Sequence, residues 1–141
     1  MAVECTLSIV KPDAVRRGLV GAVIGRFESI GLHVIASRHC LLTKEQAAAF
    51  YVVHKDLPFY EDLAVFMSSG LVIVNVLKGE NAILGCRSVI GAPDPLKAAT
   101  GTIRAEFAIS LMENSVHASD SYDSTIREIA FFFPASDPLI R

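Results

Sequence analysis

The chain has 141 residues and a mass of 15.2 kDa, enough for one core of ordinary size and too little for two independent enzymatic domains. Hydrophobic residues make up 52% and charged residues 20%, which excludes a disordered or low-complexity segment. A net charge of −2 and a sequence pI near 6.1 exclude the broad basic field of a non-specific nucleic-acid binder, so any polyanion site has to be built locally.

No repeat, linker or low-complexity tract interrupts residues 1–141, and one continuous domain is expected. Met1-Ala2-Val3-Glu4 lacks the basic and apolar regions of a secretory signal, and no apolar run approaches the ~18 residues of a membrane span, so the expected compartment is the cytoplasm. Cys5, Cys40 and Cys86 are odd in number and share no short spacing, which reads as ordinary buried or half-buried thiols.

The first strand signal is Cys5 to Val10, with Cys5, Leu7 and Ile9 facing one way and Thr6 and Ser8 the other, ended by Lys11-Pro12. A helix follows over about Val20 to Ile30, where Val20, Val23, Ile24, Phe27 and Ile30 share a face and Gly31 closes the end. His33 to Leu42 is β-rich. Thr43-Lys44-Glu45-Gln46 has the form of a capping box opening a helix with Ala47, Phe50, Tyr51 and His54 on one face. A short helix fits Tyr60 to Ser69, stopped by Gly70.

Leu71 to Leu77 is nearly continuous apolar sequence rich in β-branched residues, the pattern of a central strand covered on both faces. A helix over about Glu80 to Ile90 presents Ile83, Leu84, Arg87 and Ile90, an apolar face containing a cation. From Gly91 to Asn114 periodicity is weak, with a short helix around Ile103 to Phe107; irregular segments beyond about 12–15 residues are usually functional. Val116 to Ala118 reads as a short strand, and Asp120 or Ser121 caps a last helix to Phe133. The order predicts an α+β, ferredoxin-like βαββαβ sandwich: an antiparallel sheet with additional helices. A doubly wound parallel sheet is the competing reading, with too few clean βα repeats behind it.

No GxxxxGK[ST] and no strand-borne GxGxxG is present, so a triphosphate would have to be held by side-chain cations. Lys11 at a strand end, Arg87 on an apolar helix face and Arg104 in the long loop are the candidates. Each taken singly is more often a snorkelling or solvated charge. On the last helix Ile126, Ile129, Ala130 and Phe133 form one apolar face, and Glu128 shares the other with Phe131 and Phe132. A carboxylate among aromatics either lies at a solvent-exposed end of the helix or needs a partner. His117, eleven residues earlier, is the natural one: a carboxylate would fix its tautomer and leave the other ring nitrogen as a nucleophile. A single histidine is otherwise more often structural, which is the reading of His33, His39 and His54.

Together these residues resemble the nucleoside diphosphate kinase family, in its short bacterial form, over the whole length. The resemblance is carried by Thr6-Leu7-Ser8-Ile9-Val10-Lys11-Pro12-Asp13-Ala14, Phe50-Tyr51, Pro58-Phe59, Gly79-Glu80-Asn81-Ala82, Gly101-Thr102-Ile103-Arg104 and Asn114-Ser115-Val116-His117-Ala118-Ser119-Asp120-Ser121. It implies that His117 is the phosphorylated histidine, Glu128 the carboxylate that orients its ring, Ser119 a hydroxyl beside that pair and Tyr51 a phenol near the imidazole. It implies further that Lys11, Arg87 and Arg104 bind phosphate and that Asn114 contacts the ribose and phosphate region. Phe59 and Leu111 would sandwich the base, and stacking on a π-face explains weak base discrimination.

The implied reaction is ping-pong transfer of a γ-phosphoryl group from a nucleoside triphosphate to a nucleoside diphosphate, maintaining nucleotide pools. Mg²⁺ is expected to arrive with the nucleotide and not in a protein cage. The chain departs from the family at four places: Pro93 replaces a phosphate-binding threonine, Ala118 a glycine after the histidine, Leu57 an arginine before Pro58, and Leu71 a proline after Gly70. The loss at Pro93 of one hydroxyl donor is worth on the order of 1 kcal/mol, and the Ala118 methyl would displace His117 if the backbone there had positive φ or another segment approached it closely.

The alternative from another class is a catalytically weakened oligomer serving as a nucleotide-binding or protein-interaction module. An RNA-binding sheet of the same architecture is disfavoured because no exposed aromatic pair with a basic surround lies on the strands. The apolar surface of Phe131 and Phe132 and the family's habit predict a homo-oligomer, hexamer or tetramer, a choice the tail Pro134 to Arg141 does not decide.

Overall fold

The computed structural model describes residues 3–134; the last part of the tail and the first two residues lie outside the described residues. Four strands, β1 (Val3–Val10), β2 (His33–Cys40), β3 (Val72–Glu80) and β4 (Val116–Ala118), form one antiparallel sheet in the order β2-β3-β1-β4. That order is the ferredoxin-like sandwich expected from the pattern of elements, and it rules out the parallel sheet. Among the described residues seven α-helices accompany the strands, the last of them after β4: α1 (Pro12–Arg16), α2 (Val20–Ser29), α3 (Lys44–Phe50), α4 (Tyr60–Met67), α5 (Ala82–Ile90), α6 (Ile103–Phe107) and α7 (Tyr122–Phe132).

Two apolar layers cover the sheet. Leu7, Ile9, Val72, Val74 and Val76 pack with Phe50, Met67, Ile129 and Phe132 of α3, α4 and α7. Val10, Ile73 and Leu77 pack with Val23, Phe27, Cys86 and Ile90 of α2 and α5. β1 is therefore internal and buried on both faces from Thr6 onward, where alternation of Leu7 and Ile9 with Thr6 and Ser8 had suggested one polar face. Its small hydroxyls are tolerated inside because they find partners, as Ser8 does on the His117 carbonyl at 2.8 Å.

The local signals for the helices hold where a specific hydrogen bond fixes them. Thr43 and Gln46 form both bonds of the capping box, and the Ser121 hydroxyl accepts from the Ser124 amide at 3.1 Å. α3 ends at Phe50, earlier than its apolar pattern suggests, and a 3-10 turn, Val52–His54, carries the chain onward.

Two helix faces differ from the sequence reading. α5 buries Ala82, Cys86 and Ile90, leaving Leu84 and Arg87 exposed. α7 buries Thr125, Glu128, Ile129 and Phe132, while Ile126 and Ala130 face outward. Glu128 thus lies on the buried face, rotated there by polar partners on other elements that outweigh the apolar count.

Candidate functional site

β4 pairs with β1 so that His117 stands opposite Ile9 and Val116 opposite Val10. The His117 ring packs edge-on against Phe50 and Tyr51, with centroids 5.3 and 5.6 Å away. Its Nε2 lies 2.7 Å from Glu128 Oε1, and the two side chains are 16% and 7% exposed. The Ser119 hydroxyl donates to the same Oε1 at 2.8 Å. Arg127 places Nη2 3.6 Å from Oε2.

A carboxylate can only accept, so Nε2 carries the ring proton and Nδ1 keeps its lone pair. Nδ1 has no protein hydrogen bond among the described residues. Burial lowers the His117 pKa below its ordinary value, Glu128 pulls it back up, and Lys11 and Arg104 press it down further. The ring is neutral near pH 7 and chemically able to attack an electrophile through Nδ1.

Lys11 ends β1 and occupies the N-cap of α1 with its side chain buried. Its Nζ donates to Asn114 Oδ1 at 2.8 Å, and Asn114 Nδ2 donates in turn to the Pro93 carbonyl at 3.1 Å. Burial first, then Arg104, lower the Lys11 ammonium from 10.5 to about 7, with Asp13 acting the other way. Arg104 is tied by Nη1 to the Gly91 carbonyl at 3.0 Å and by Nη2 to the Val116 carbonyl at 2.7 Å. Burial and Arg87 lower it to about 10, leaving it charged at neutral pH.

Gly91 makes that tether possible: with φ at 92°, a Cβ on it would sit 2.5 Å from the Thr102 hydroxyl at the start of α6. Arg87 stands exposed on the rim. The Tyr51 hydroxyl is buried with no hydrogen-bond partner among the described residues, and burial raises its pKa, so it remains a phenolic donor.

A cavity of about 400 Å³ is lined by Lys11, Tyr51, Phe59, Pro93, Leu111, Asn114 and His117, among others. A second of about 210 Å³ reaches Arg87, Arg104 and Glu128, and shares Tyr51, His54, Pro93 and His117 with the first. Phe59 and Leu111 are 42% and 62% exposed, apolar surfaces left open at the wider end. The structure therefore brings together every site residue expected from the sequence, with Ser119 buried behind Glu128 and lining neither cavity.

His54 and Arg127 also stand at the site. His54, read as structural, stacks near Tyr51 and leans on Phe59, with centroids 6.3 and 6.2 Å away, and lines both cavities. Its place three residues after Tyr51 was the available signal. Arg127 reaches the Phe50 carbonyl at 3.3 Å as well as Glu128; its neighbour in sequence could have pointed to it. Among the described residues no three His, Cys, Asp or Glu side chains gather as metal ligands.

The departures at positions 93 and 118 leave this geometry standing. Ala118 is not among the positive-φ residues; it sits in β4, opposite Ser8, with its methyl packed in the apolar layer under α5. Pro93 contributes its carbonyl to Asn114. Leu57 and Leu71 are partly exposed, at 43% and 47%.

A ferredoxin-like sheet that aims a neutral imidazole, one lysine and two arginines into a cleft with an aromatic mouth has the chemistry of a nucleotide phosphotransferase. Comparison with known proteins narrows this class. A family model described as nucleoside diphosphate kinase matches residues 4–137. A relative in Gluconacetobacter diazotrophicus, named nucleoside diphosphate kinase, is 54% identical over 139 residues, covering 99% of each chain. One of the same name in Rhodospirillum centenum is 53% identical, covering 97% of this chain and 98% of its own. The crystal structure of the Aquifex aeolicus nucleoside diphosphate kinase superposes with a TM-score of 0.92 at 44% identity, covering 95% of this chain and 97% of that one. That of Encephalitozoon cuniculi gives 0.90 at 33%, covering 92% and 88%. The chain belongs to the nucleoside diphosphate kinase family.

Proposed function

We propose that the protein transfers the γ-phosphoryl group of a nucleoside triphosphate to a nucleoside diphosphate through a phosphohistidine on Nδ1 of His117, and so maintains nucleotide pools. The observation that carries this reading is the Glu128 carboxylate on Nε2, 2.7 Å away, which leaves Nδ1 as the nucleophilic nitrogen beside Lys11 and Arg104.

The Nδ1 lone pair forms the N–P bond as the bond from the γ-phosphorus to the bridging oxygen breaks, and the diphosphate leaves with that electron pair. The positive charge gained by the ring is spread toward Glu128, whose geometry Ser119 holds. Lys11, Arg87 and Arg104 stabilise negative charge on the equatorial oxygens, and the Tyr51 phenol supplies a neutral donor. The reverse sequence delivers the group to an acceptor diphosphate. Asn114, already bonded to Lys11 and Pro93, positions the ribose end. Phe59 and Leu111 hold the base by stacking and apolar contact, which favours broad base use.

The cleft offers mainly cations, a phenol and an imidazole, which are poor ligands for a hard cation, so Mg²⁺ would be carried in by the nucleotide and would neutralise part of its phosphate charge. We read the chain as a single domain acting in the cytoplasm as a homo-oligomer, hexamer or tetramer. No helix among the described residues is long and apolar enough to cross a membrane. Phe131, 41% exposed, and Leu96, 93% exposed, offer apolar surface for self-association, whereas Phe132, expected to add to it, is buried in the core at 7%.

Incubation with ATP labelled at the γ-phosphate tests the chemistry. Acid-labile, base-stable label on the wild type and none on His117→Gln is expected; equal label on both proteins would rule His117 out as the carrier.

A further inference from the structure

The turn that delivers β4 contains a buried pair that phosphoryl transfer does not by itself require. Ser115 holds φ at 74°, the left-handed region that favours glycine, and is fully buried. Its carbonyl accepts from the Lys11 amide at 2.9 Å. Its hydroxyl donates to Asp13 Oδ2 at 3.1 Å, across 102 residues of sequence. Asp13 lies in the first turn of α1, is 1% exposed, and has its Oδ1 buried with no partner among the described residues.

An aspartate in a helix's first turn is unremarkable on a surface, where it meets the helix dipole and water. Burying one with an orphaned oxygen is unfavourable unless a charge nearby compensates. The charge is Lys11, two residues away, whose ammonium Asp13 favours while Arg104 opposes it. Lys11 also acts on His117 of β4, donates to Asn114, and shares its cavity with Tyr51 and His54 from the α3 end. Among the groups acting on Lys11, Asp13 supplies the negative charge.

We propose that Asp13 and Ser115 are positioning residues: the Asp13 carboxylate holds the left-handed Ser115 turn against the end of β1 and serves as the buried counter-charge of the Lys11 ammonium. One bond thereby sets the spacing between Lys11 on one segment and Asn114 and His117 on the other. The inference rests on the reading of this cleft as a phosphoryl-transfer site, but its first test does not depend on activity.

Asp13→Asn keeps an acceptor for Ser115 and removes the charge. Titration of the Lys11 ε-carbon by ¹³C NMR in wild type and variant reads the consequence directly: the midpoint falls by about one pH unit, the low end for loss of a close opposite charge. The alkaline limb of kcat/KM moves the same way, so activity at pH 8 drops about tenfold and largely returns at pH 6. Ser115→Ala leaves the charge, and lowers kcat/KM about fivefold at every pH by loosening the turn, an effect the size of one hydrogen bond.

An unmoved Lys11 midpoint in Asp13→Asn overturns the proposal, even if the variant unfolds at lower temperature, which is what a plain helix-terminus role would do. If Asp13→Asn does not accumulate as folded protein, Ser115→Ala decides, and kcat/KM equal to wild type overturns it. A wild type that forms no phosphohistidine would instead refute the proposed function, and the Lys11 titration would still judge the pairing.

Discussion

Lys11→Met should separate the stability of this protein from its affinity for phosphate. The side chain is 6% exposed, and its ammonium is depressed from 10.5 to about 7, so the unfolded chain binds a proton more tightly than the folded one. Below about pH 7 both states are protonated, and the folded state carries the full cost of the buried charge. About 3.5 pH units at about 1.4 kcal/mol each make that roughly 5 kcal/mol. Between about 7 and 10.5 the unfolded state holds the extra proton, so the cost shrinks as pH rises. At pH 9 it is about 2 kcal/mol.

Methionine fills a similar volume without the charge, and the partners it strands, Asn114 and Asp13, impose a cost that varies little over this range. The difference in unfolding free energy between variant and wild type should therefore shrink by about 2–3 kcal/mol from pH 6 to pH 9, with the variant favoured more at the acid end. Urea unfolding of both proteins at fixed protomer concentration measures it. A difference independent of pH would refute the account of Lys11 as a charge held against its solvation.

The same cations set the remaining expectations. Phosphate should draw Lys11 back toward its charged form, so binding of ADP at pH 8 should take up protons; calorimetry in buffers of differing ionisation enthalpy would show no buffer dependence if it does not. The kcat/KM profile should fall on the acid side below the lowered pKa of His117, where the nucleophile becomes protonated, and on the alkaline side from about pH 7 as Lys11 loses its proton; an alkaline limb placed near 10 would contradict this. Phe59→Ala should raise KM by about 1–3 kcal/mol equivalent with kcat changed far less, and steady-state kinetics with two different bases would expose any other pattern. Ala118→Gly should bring no gain in activity and destabilise β4 by about 0.5–1 kcal/mol, since the methyl is accommodated; higher kcat in the variant would show that the methyl does disturb His117.

Much of the fold was legible because its signals are local. A capping box at Thr43 and Gln46, the Ser121 cap and the β-branched run of β3 each specify an element through neighbours in sequence. The faces of α5 and α7 were not, because their rotation answers to groups on other elements. Glu128 turns inward to meet His117 and Ser119 against the pull of Ile126 and Ala130, and apolar counting cannot register that bond. Ser115 gives no hint of a left-handed turn, since serine is a poor choice for one; its reason is the carboxylate of Asp13, visible only in three dimensions. The candidate site was legible through resemblance, residue by residue, whereas the bonds joining those residues, Lys11 to Asn114 and Asn114 to Pro93, had no sequence signature.

The position of the cleft follows from how the sheet ends. β1 stops at Val10 and β4 starts at Val116, its register partner, so the ladder gives out where Lys11 and Ser115 meet. Beyond that point backbone groups need side-chain partners, and Arg104 satisfies two of them, the carbonyls of Gly91 and Val116. The guanidinium that closes the fold thus also adds to burial in depressing Lys11 and His117. These cations repel one another, and Arg87 lowers Arg104 in the same way. The arrangement is tolerable because α5, α6 and the strand pairing hold the cations in place, and a polyphosphate entering the cleft relieves that repulsion. Structural anchoring and phosphate affinity are here properties of the same side chains, so removing Arg104 is expected to strand the two carbonyls it holds as well as weaken the site, whereas at Lys11 the balance between lost anchoring and relieved charge burial shifts with pH.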